Sequence, residues 1–277
     1  MISNENLLKG NSRIEDDTQY GAILKDRWVP APRYILRRDR VLAAAADLPP
    51  GNVLEIGCGS GALLREFARR GHHCCGAETS QVARRMATEM LDAFPPSRIV
   101  ETVPAEMPAD VDLLIACEVL EHIEDDADAL TRWVRHLRPG GRLILSVPAH
   151  MHKWGIRDIW AGHVRRYSRN ELLRLAKKVG LKVDRIECYG FPLTNLTNFL
   201  ADLSVKEKGR AGGAVSQSQA TAASGIDRTV HLSLFGLQTS PIGRLIMKSA
   251  CFFQRAFLST DWGEGYLLVA TRVNECR

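Results

Sequence analysis

Short apolar runs alternate with amphipathic segments along most of the chain. In the amphipathic segments apolar side chains recur at helix spacing, as at Val82, Met86 and Met90. Strands that alternate with such helices form a parallel sheet covered by helices on both faces, so the pattern predicts the α/β class. The predicted strands are residues 52–56, 73–77, 98–102, 112–116, 142–147, 182–188 and 265–272.

Helix boundaries are marked by residues that start or stop helices. A leading helix is predicted to end before Pro49, and a second helix ends near Gly71. Ser80 is placed to start a third helix. Ser168 and Glu171 have the spacing of a capping box, which predicts a further helix start at residue 168.

Two segments fall outside this alternation. Residues 1–30 are polar and aperiodic, which predicts an N-terminal tail. Roughly 75 residues separate the last two predicted strands, far more than a usual connection. We expect this insertion, residues 190–263, to form a lid or an acceptor cap. The alternative is a variable surface segment that has no function. The remainder, residues 31–189 and 264–277, is predicted to be one domain.

The insertion has two distinct parts. Residues 211–225 have linker composition, whereas residues 241–258 have the pattern of an apolar helix that also carries Arg244, Lys248 and Arg255. Such a helix leaves open a peripheral contact with a membrane surface. A helix packed over an active site gives the same pattern.

Composition excludes some classes of protein and partner. With 25% charged and 45% hydrophobic residues, the chain can bury a core and is not a disordered or fibrous protein. The net charge of +5 is mild and no basic run of five residues occurs, which argues against nucleic acid as a partner. The seven cysteines include no C-x-x-C pair, and no signal-like apolar segment is present, so we expect a cytoplasmic protein.

A glycine-rich turn follows the first predicted strand. Gly57, Gly59 and Gly61 stand at alternate positions where the strand leads into a helix, so bare backbone can approach a ligand there. The free N–H groups of the helix suit a carboxylate or a phosphate. Gly57, Gly59 and Ala62 also satisfy a dinucleotide fingerprint. The turn alone therefore does not decide whether the ligand is a dinucleotide or another cofactor.

Two carboxylates accompany this turn. Glu55 lies in the strand two residues before Gly57, where it needs hydrogen bonds from the loop or, through water, from a ligand ammonium group. A dinucleotide has no ammonium group. Glu78 ends the second strand, where a carboxylate can accept hydrogen bonds from both hydroxyls of a ribose. This position suits a dinucleotide and any other cofactor that contains a ribose. A helix cap or a surface ion pair is the alternative for each carboxylate.

Four segments in order resemble a known family. VLEIGCGSG, GAETS, DLLIACEVLEHIEDD and LRPGGRLILSVP are similar to class I S-adenosylmethionine-dependent methyltransferases, most of all to the ubiquinone-biosynthesis O-methyltransferase-like branch. The resemblance covers about residues 30–190 and the last strand. It implies S-adenosyl-L-methionine as cofactor and a Rossmann-like, seven-stranded, mostly parallel sheet of order 3-2-1-4-5-7-6. The helical insertion then falls between the last two strands.

The resemblance also implies roles for single residues. The glycine loop would lie under the methionine end of the cofactor, with Glu55 on its ammonium side and Glu78 at its ribose. The segment 103–108 lacks the acidic residue that family members often place against the adenine, so Glu106 or backbone carbonyls remain open there. The implied cofactor-binding residues are Glu55, Gly57, Cys58, Gly59, Gly61, Glu78, Thr79, Cys117, Glu118 and Val119, with His122 in a supporting role.

The segment after the fifth strand is dense in chemistry-bearing side chains and lies where open α/β sheets bind ligands. His150 and His163 are candidate bases and Asp158 a candidate orienting group. A metal site could use His150, His152, Asp158 and His163, but His150 and His152 would point apart in an extended segment and the family resemblance calls for no metal, so none is expected. We expect Trp154 and Trp160 to stack on the acceptor, and Arg165 and Arg166 to clamp an anionic group. Tyr167 is a further candidate for acceptor binding. Alternatively, His163, Arg166 and Tyr167 hold the segment against the sheet.

Taken together, the sequence predicts an S-adenosylmethionine-dependent methyltransferase that acts on a small-molecule acceptor, most readily at oxygen, by in-line displacement with a histidine base. One alternative is an NAD-dependent Rossmann oxidoreductase, which the glycine turn and Glu78 would also suit. The other is a non-catalytic partner protein that binds the cofactor. The acceptor and the oligomeric state stay open.

Overall fold

The computed structural model describes residues 14–25, 27–197 and 229–273. Within them a two-stranded hairpin precedes a seven-stranded sheet. The hairpin strands are β1 (Ile14–Asp17) and β2 (Gly21–Leu24); the sheet strands are β3 (Asn52–Ile56), β4 (His73–Ala77), β5 (Arg98–Val100), β6 (Val111–Cys117), β7 (Leu137–Pro148), β8 (Leu181–Tyr189) and β9 (Gly265–Arg272).

The sheet has the topology that the family resemblance implies. Its order is β5-β4-β3-β6-β7-β9-β8, which becomes 3-2-1-4-5-7-6 when these strands are numbered from β3. Only β9 runs against its neighbours, since it pairs antiparallel with both β7 and β8. The carboxyl ends of β3, β4 and β6 therefore meet at one edge, and the α/β expectation is confirmed.

Local signals in the sequence account for most helix starts. The Ser80 hydroxyl accepts a hydrogen bond from the Ala83 N–H, and Ser168 and Glu171 form the expected reciprocal capping box. Proline occupies the first turn of the leading helix. The helices are α1 (Pro32–Ala44), α2 (Ala62–Ala68), α3 (Gln81–Leu91), α4 (Asp126–Val134), α5 (Ile156–Ala161), α6 (Arg169–Lys178), α7 (Thr229–Thr239) and α8 (Pro241–Gln254).

Each face of the sheet carries its own apolar core. Successive residues of β6 point to opposite faces, so Leu114 packs with α4 and α6 whereas Leu113 packs with α1 and α2. Both leucines are fully buried, which is worth about 1.5–3 kcal/mol for each side chain. These two cores hold β3 and β6 rigid, and the site is built on the ends of those strands.

The predicted polar tail over residues 1–30 is wrong for residues 14–25 and 27–30. Residues 14–24 form the β1–β2 hairpin, and Tyr20, Leu24 and Trp28 are buried beside Met247 of α8. The acidic residues that make this segment polar are paired: Asp16 with Arg65 at 2.8 Å and Asp17 with Arg244 at 2.7 Å. Residues 1–13 lie outside the described residues.

The predicted insertion is described at residues 190–197 and 229–263, and the linker-like residues 211–225 lie outside these ranges. The expected apolar helix is present as α8, which ends at Gln254 and continues as a 3-10 turn, Arg255–Phe257. The buried amide of Gln254 donates to the Leu36 carbonyl at 3.1 Å, so α8 is joined to α1. No helix in the described part of the chain is long and apolar enough to cross a membrane.

The buried ion pair between Arg38 and Glu66 gives a stability prediction. Arg38 Nε donates to Glu66 Oε1 at 3.0 Å under the β1–β2 hairpin, with both side chains almost inaccessible. Glu66→Ala leaves a buried cation without its partner and should lower the free energy of unfolding by about 3–5 kcal/mol in urea titrations. Asp128→Ala, which removes the exposed partner of Arg132, is the control and should cost about 0.5 kcal/mol. Equal losses in the two variants would contradict this assignment.

Candidate active site

The glycine turn has the backbone shape that only glycine adopts without strain. Gly57, Gly59 and Gly61 have φ values of 66°, 54° and 76°. A Cβ at Gly57 would overlap the Val119 side chain, and one at Gly61 would lie 2.9 Å from the Ala87 Cα. A Cβ at Gly59 would meet nothing within 4 Å, so open space lies over the middle of the turn.

Glu78 joins the ends of two adjacent strands. Its Oε2 accepts a hydrogen bond from the Gly59 N–H at 2.9 Å, and its Oε1 accepts one from the Ser80 N–H at 2.8 Å. A carboxylate has about four acceptor sites, so ribose hydroxyls can still bind. Thr79 contributes a carbonyl that accepts from Arg84 at 2.6 Å, which fixes the turn after β4.

Glu55 is buried with an unmet hydrogen-bonding need. Its Oε2 has no partner among the described residues. Burial raises the pKa of Glu55 to about 8, and the charge of Glu78 adds to this rise whereas that of Arg37 opposes it. Because a buried carboxyl without a partner is costly, the position favours a ligand that brings a cationic donor.

The two cysteines of the expected cofactor set are buried thiols. Burial raises the pKa of Cys117 to about 12 and that of Cys58 well above its ordinary range. Neither thiol is therefore activated as a nucleophile. Both side chains belong to the apolar core on the α1–α2 face of the sheet, Cys58 directly after Gly57 and Cys117 at the end of β6.

Glu118 follows β6 and is the anionic centre of a half-buried network. It adopts φ 60°, and its Oε2 lies 2.7 Å from Arg33 while Tyr189 donates to Oε1 at 3.0 Å. Burial acts to raise the pKa of Glu118, but the guanidinium groups of Arg33 and Arg37 outweigh it and lower that pKa to about 2. Both arginines lie on α1, and sequence reasoning missed them because cations four residues apart on a helix resemble a solvated face.

A second glutamate one turn further on is buried without such partners. No hydrogen bond from a described residue reaches either carboxylate oxygen of Glu121, and His163 Nε2 lies 3.8 Å from Oε1. Burial raises the pKa of Glu121 well above its usual value, and the charge of Glu118 adds to this. Sequence reasoning singled out His122 but missed Glu121, because the sequence does not show which of the acidic residues in 118–126 point inward.

Glu121, His122 and His163 have the spacing of metal ligands. Their ligand atoms lie within 4.8 Å of one another, and one carboxylate with two imidazoles is a donor set that zinc accepts. The expectation of no metal site rests partly on the geometry of His150 and His152, and the extended geometry assumed for these two residues is wrong. His150 and His152 do not point apart, because Met151–Lys153 is a 3-10 turn that brings their ring centroids to 5.3 Å.

Asp158 orients His163. This buried carboxylate contacts His163 Nδ1 at 2.8 Å and accepts hydrogen bonds from Arg166 Nε at 2.8 Å and from the Gly155 N–H at 2.9 Å. Burial would raise the pKa of Asp158, but these hydrogen bonds lower it below its usual range. An ionised Asp158 assigns the proton to Nδ1, which leaves the Nε2 lone pair of His163 facing Glu121.

His150 is less well placed than His163 to act as a base. Its Nδ1 lies 3.5 Å from the Tyr266 hydroxyl and its Nε2 3.8 Å from the Cys188 thiol. Burial also lowers the pKa of His150. Both ring nitrogens thus face side chains of β8 and β9, whereas His163 faces the glutamates after β6.

The remaining expected acceptor residues fall into two groups. Arg165 binds Asp126 at 2.9 Å, Arg166 binds Asp158, and the buried Tyr167 donates to Asp126 at 2.9 Å, so all three hold the segment in place. For Arg166 and Tyr167 these contacts match the pinning alternative, and the guanidinium of Arg165, which was expected at an acceptor anion, is paired with Asp126 instead. Trp160 is exposed and Trp154 half-buried, which leaves ring surface available for an acceptor.

Comparison with known proteins places this chain in a family. Residues 29–186 match the family described as a methyltransferase domain, and the chain belongs to it. It is 35% identical over 117 residues to a ubiquinone biosynthesis O-methyltransferase of Alkalilimnicola ehrlichii, covering 40% of this chain and 47% of that one. It is 29% identical over 157 residues to the enzyme of that name from Xylella fastidiosa, covering 53% and 64%. The matches thus span about half to two thirds of these relatives.

Solved structures agree in fold. Phosphoethanolamine N-methyltransferase 2 of Haemonchus contortus matches with a TM-score of 0.54 and 18% identity, covering 86% of this chain and 52% of that one. The [4+2]-cyclase SpnF matches with a TM-score of 0.55 and 16% identity, covering 93% and 87%. Because one neighbour is named a cyclase, fold alone does not define the reaction.

The raised pKa of Glu55 predicts how stability changes with pH. Between its ordinary value of 4.5 and about 8, folded Glu55 keeps a proton that the unfolded chain releases. The free energy of unfolding should therefore fall as pH rises through this window, by up to about 1.4 kcal/mol per pH unit. Urea titrations across the window should show that Glu55→Gln lacks this part of the decline. Parallel pH profiles for wild type and variant would refute the assignment.

Proposed function

We propose that this protein is an S-adenosylmethionine-dependent methyltransferase that methylates an oxygen atom of a small-molecule acceptor. The observation that carries the proposal is the open glycine turn, tied to Glu78, next to the buried Glu55, whose Oε2 has no hydrogen-bond partner among the described residues. Family membership supports the cofactor. The names of the curated relatives support oxygen as the methylated atom.

The two carboxylates suit different parts of S-adenosylmethionine. The remaining acceptor sites of Glu78 suit the ribose hydroxyls, and Glu55 suits the amino group of the methionine portion. Arg37 adds a cation near Glu55 and Glu118 that can balance the methionine carboxylate. NAD would supply no ammonium donor and would leave Glu55 without a partner, so the oxidoreductase is the weaker candidate.

His163 is the proposed base. In methyl transfer a lone pair of the acceptor oxygen attacks the methyl carbon, the carbon–sulfur bond breaks toward sulfur, and S-adenosylhomocysteine leaves as a neutral thioether. The hydroxyl proton then needs an acceptor. Nε2 of His163 can take it because Asp158 holds the proton on Nδ1 and stabilises the imidazolium that forms.

An aromatic cluster that joins the start and the end of the insertion supports its proposed role as an acceptor cap. Phe191, Phe257 and Trp262 pack with ring centroids 4.9–5.6 Å apart. Lys153 donates to the Gly263 carbonyl at 3.0 Å, which joins this cluster to the segment that carries His163. The cluster and Trp160 thus provide apolar surface beside the carboxyl ends of the strands, suited to a ring or an apolar acceptor.

Calorimetric titration tests the cofactor. S-adenosylmethionine and S-adenosylhomocysteine should bind the wild type and NAD should not, while Glu78→Ala should weaken binding of the first two at least about tenfold, or 1.4 kcal/mol. Glu101→Ala, which removes an exposed carboxylate that contacts Arg84, should bind like the wild type. Binding of NAD alone would establish the oxidoreductase instead.

Turnover measurements test the base. Formation of S-adenosylhomocysteine would first be screened with phenols, catechols and sugars as acceptors; cofactor binding with no turnover on any of them would favour the non-catalytic partner. His163→Ala should lower kcat by about 10²–10⁴-fold with unchanged cofactor affinity. Asp158→Asn should also lower kcat, because an amide at this position no longer holds the His163 proton on Nδ1. His152→Ala, an exposed histidine of the same segment, is the control. Unchanged kcat in His163→Ala would eliminate this residue as the base.

A further inference from the structure

The first helix carries a buried hydroxyl group that no other described residue satisfies. Tyr34 lies in the first turn of α1 and is 9% exposed, and its hydroxyl oxygen forms no hydrogen bond within the described part of the chain. A buried tyrosine hydroxyl usually has a hydrogen-bond partner, because an unmet one costs free energy. The exception needs an explanation, and a bound ligand can supply the missing partner.

A second tyrosine of the same apolar cluster shows what an ordinary buried hydroxyl does. Tyr20 is fully buried, and its hydroxyl donates to the Gln238 carbonyl at 2.6 Å. The ring of Tyr34 is also well packed, edge-on against Trp28 with a centroid distance of 5.2 Å. Packing therefore accounts for the ring of Tyr34 but not for its hydroxyl, since phenylalanine would fill the same space.

Two arginines on α1 define the direction in which Tyr34 points. Arg37 and Arg38 follow Tyr34 by three and four residues, so the three side chains share one face of the helix. Arg37 Nη1 lies 3.6 Å from Glu118 Oε1 after β6, whereas Arg38 donates to Glu66 of α2. This face of α1 therefore spans the gap between the end of β6 and α2. The glycine turn occupies that gap, because it leads from β3, the neighbour of β6, into α2.

Packing and charge agree with this placement. Tyr34 belongs to the same apolar cluster as Ala62, the first residue of α2. The guanidinium of Arg37 lies 5.8 Å from the centre of the Tyr34 ring. Burial raises the pKa of the Tyr34 hydroxyl; the charge of Arg38 opposes this rise and that of Glu55 adds to it. The hydroxyl thus keeps its proton at neutral pH and is available as a hydrogen-bond donor.

An unpartnered donor and an unpartnered acceptor in one place suit an α-amino acid. The ammonium and carboxylate groups of such a ligand are attached to the same carbon atom, so the groups that bind them must lie close together. Glu55 suits the ammonium group, and Arg37 supplies a cation for the carboxylate. We infer that the Tyr34 hydroxyl donates a hydrogen bond to the carboxylate of the methionine portion of S-adenosylmethionine, and so makes the site specific for a cofactor with an intact amino-acid end. The inference rests on the proposed function, which supplies the cofactor.

Calorimetric titration of the full chain with two ligands tests the inference. Decarboxylated S-adenosylmethionine keeps the ammonium group and the adenosine but lacks the carboxylate. Tyr34→Phe should lower the affinity for S-adenosylmethionine about tenfold to a hundredfold, because a hydrogen bond to a charged group is lost. The same substitution should leave the affinity for the decarboxylated ligand unchanged. A substitution that only loosened the site would weaken the binding of both ligands.

Tyr20→Phe is the matched control, since it removes the same atom from a tyrosine of the same cluster. It should leave both affinities unchanged. Urea titrations without ligand separate the two positions further. Tyr20→Phe should unfold at a lower urea concentration than the wild type, because the Gln238 carbonyl loses its donor. Tyr34→Phe should unfold at the same or a higher concentration, because its hydroxyl has no partner to lose.

Three results would overturn the inference. The first is binding of S-adenosylmethionine by Tyr34→Phe with the affinity of the wild type, and the second is an equal loss of affinity for both ligands. The third is a loss of stability in Tyr34→Phe as large as that in Tyr20→Phe, which would show that the hydroxyl is satisfied within the protein. Each of these leaves the proposed function standing, whereas a wild type that binds no S-adenosylmethionine would overturn both.

Discussion

The placement of three glutamates at the carboxyl ends of β3 and β6, with Glu55 and Glu121 buried and Glu118 half-buried, is the constraint on which the site depends. Glu118 is neutralised within the chain, because Arg33 lies 2.7 Å from its carboxylate. Glu55 and Glu121 have no such cation in hydrogen-bond contact among the described residues, and burial raises the pKa of each. A fold tolerates buried carboxyls of this kind at positions where ligands bind.

The elements around the sheet hold this arrangement in place. The glycine turn brings backbone close to β6, and α1 carries Arg33 and Arg37 to the same edge. Behind α1, the β1–β2 hairpin and α8 are joined through the ion pair of Asp17 with Arg244. The N-terminal segment and the insertion therefore form one support for α1, which in turn fixes the charge of Glu118.

How far the sequence predicts the structure depends on whether the signal is local. The strands, the capping box at Ser168 and the glycine turn follow from spacing along the chain, and the strand order follows from the family resemblance. The β1–β2 hairpin was missed because its acidic residues look solvated although they are paired by distant arginines. Arg165 and Arg166 were expected at an acceptor, yet their partners Asp126 and Asp158 become neighbours only in the folded chain.

The central claim is that Glu55 receives the ammonium group of the cofactor. At pH 7 a Glu55 with a pKa of about 8 is protonated, and a bound cation would drive its proton off. Calorimetry of S-adenosylmethionine binding in buffers of different ionisation enthalpy measures this release directly. The account predicts that the wild type releases about one proton and Glu55→Gln releases none. Equal proton release in the two proteins would contradict it.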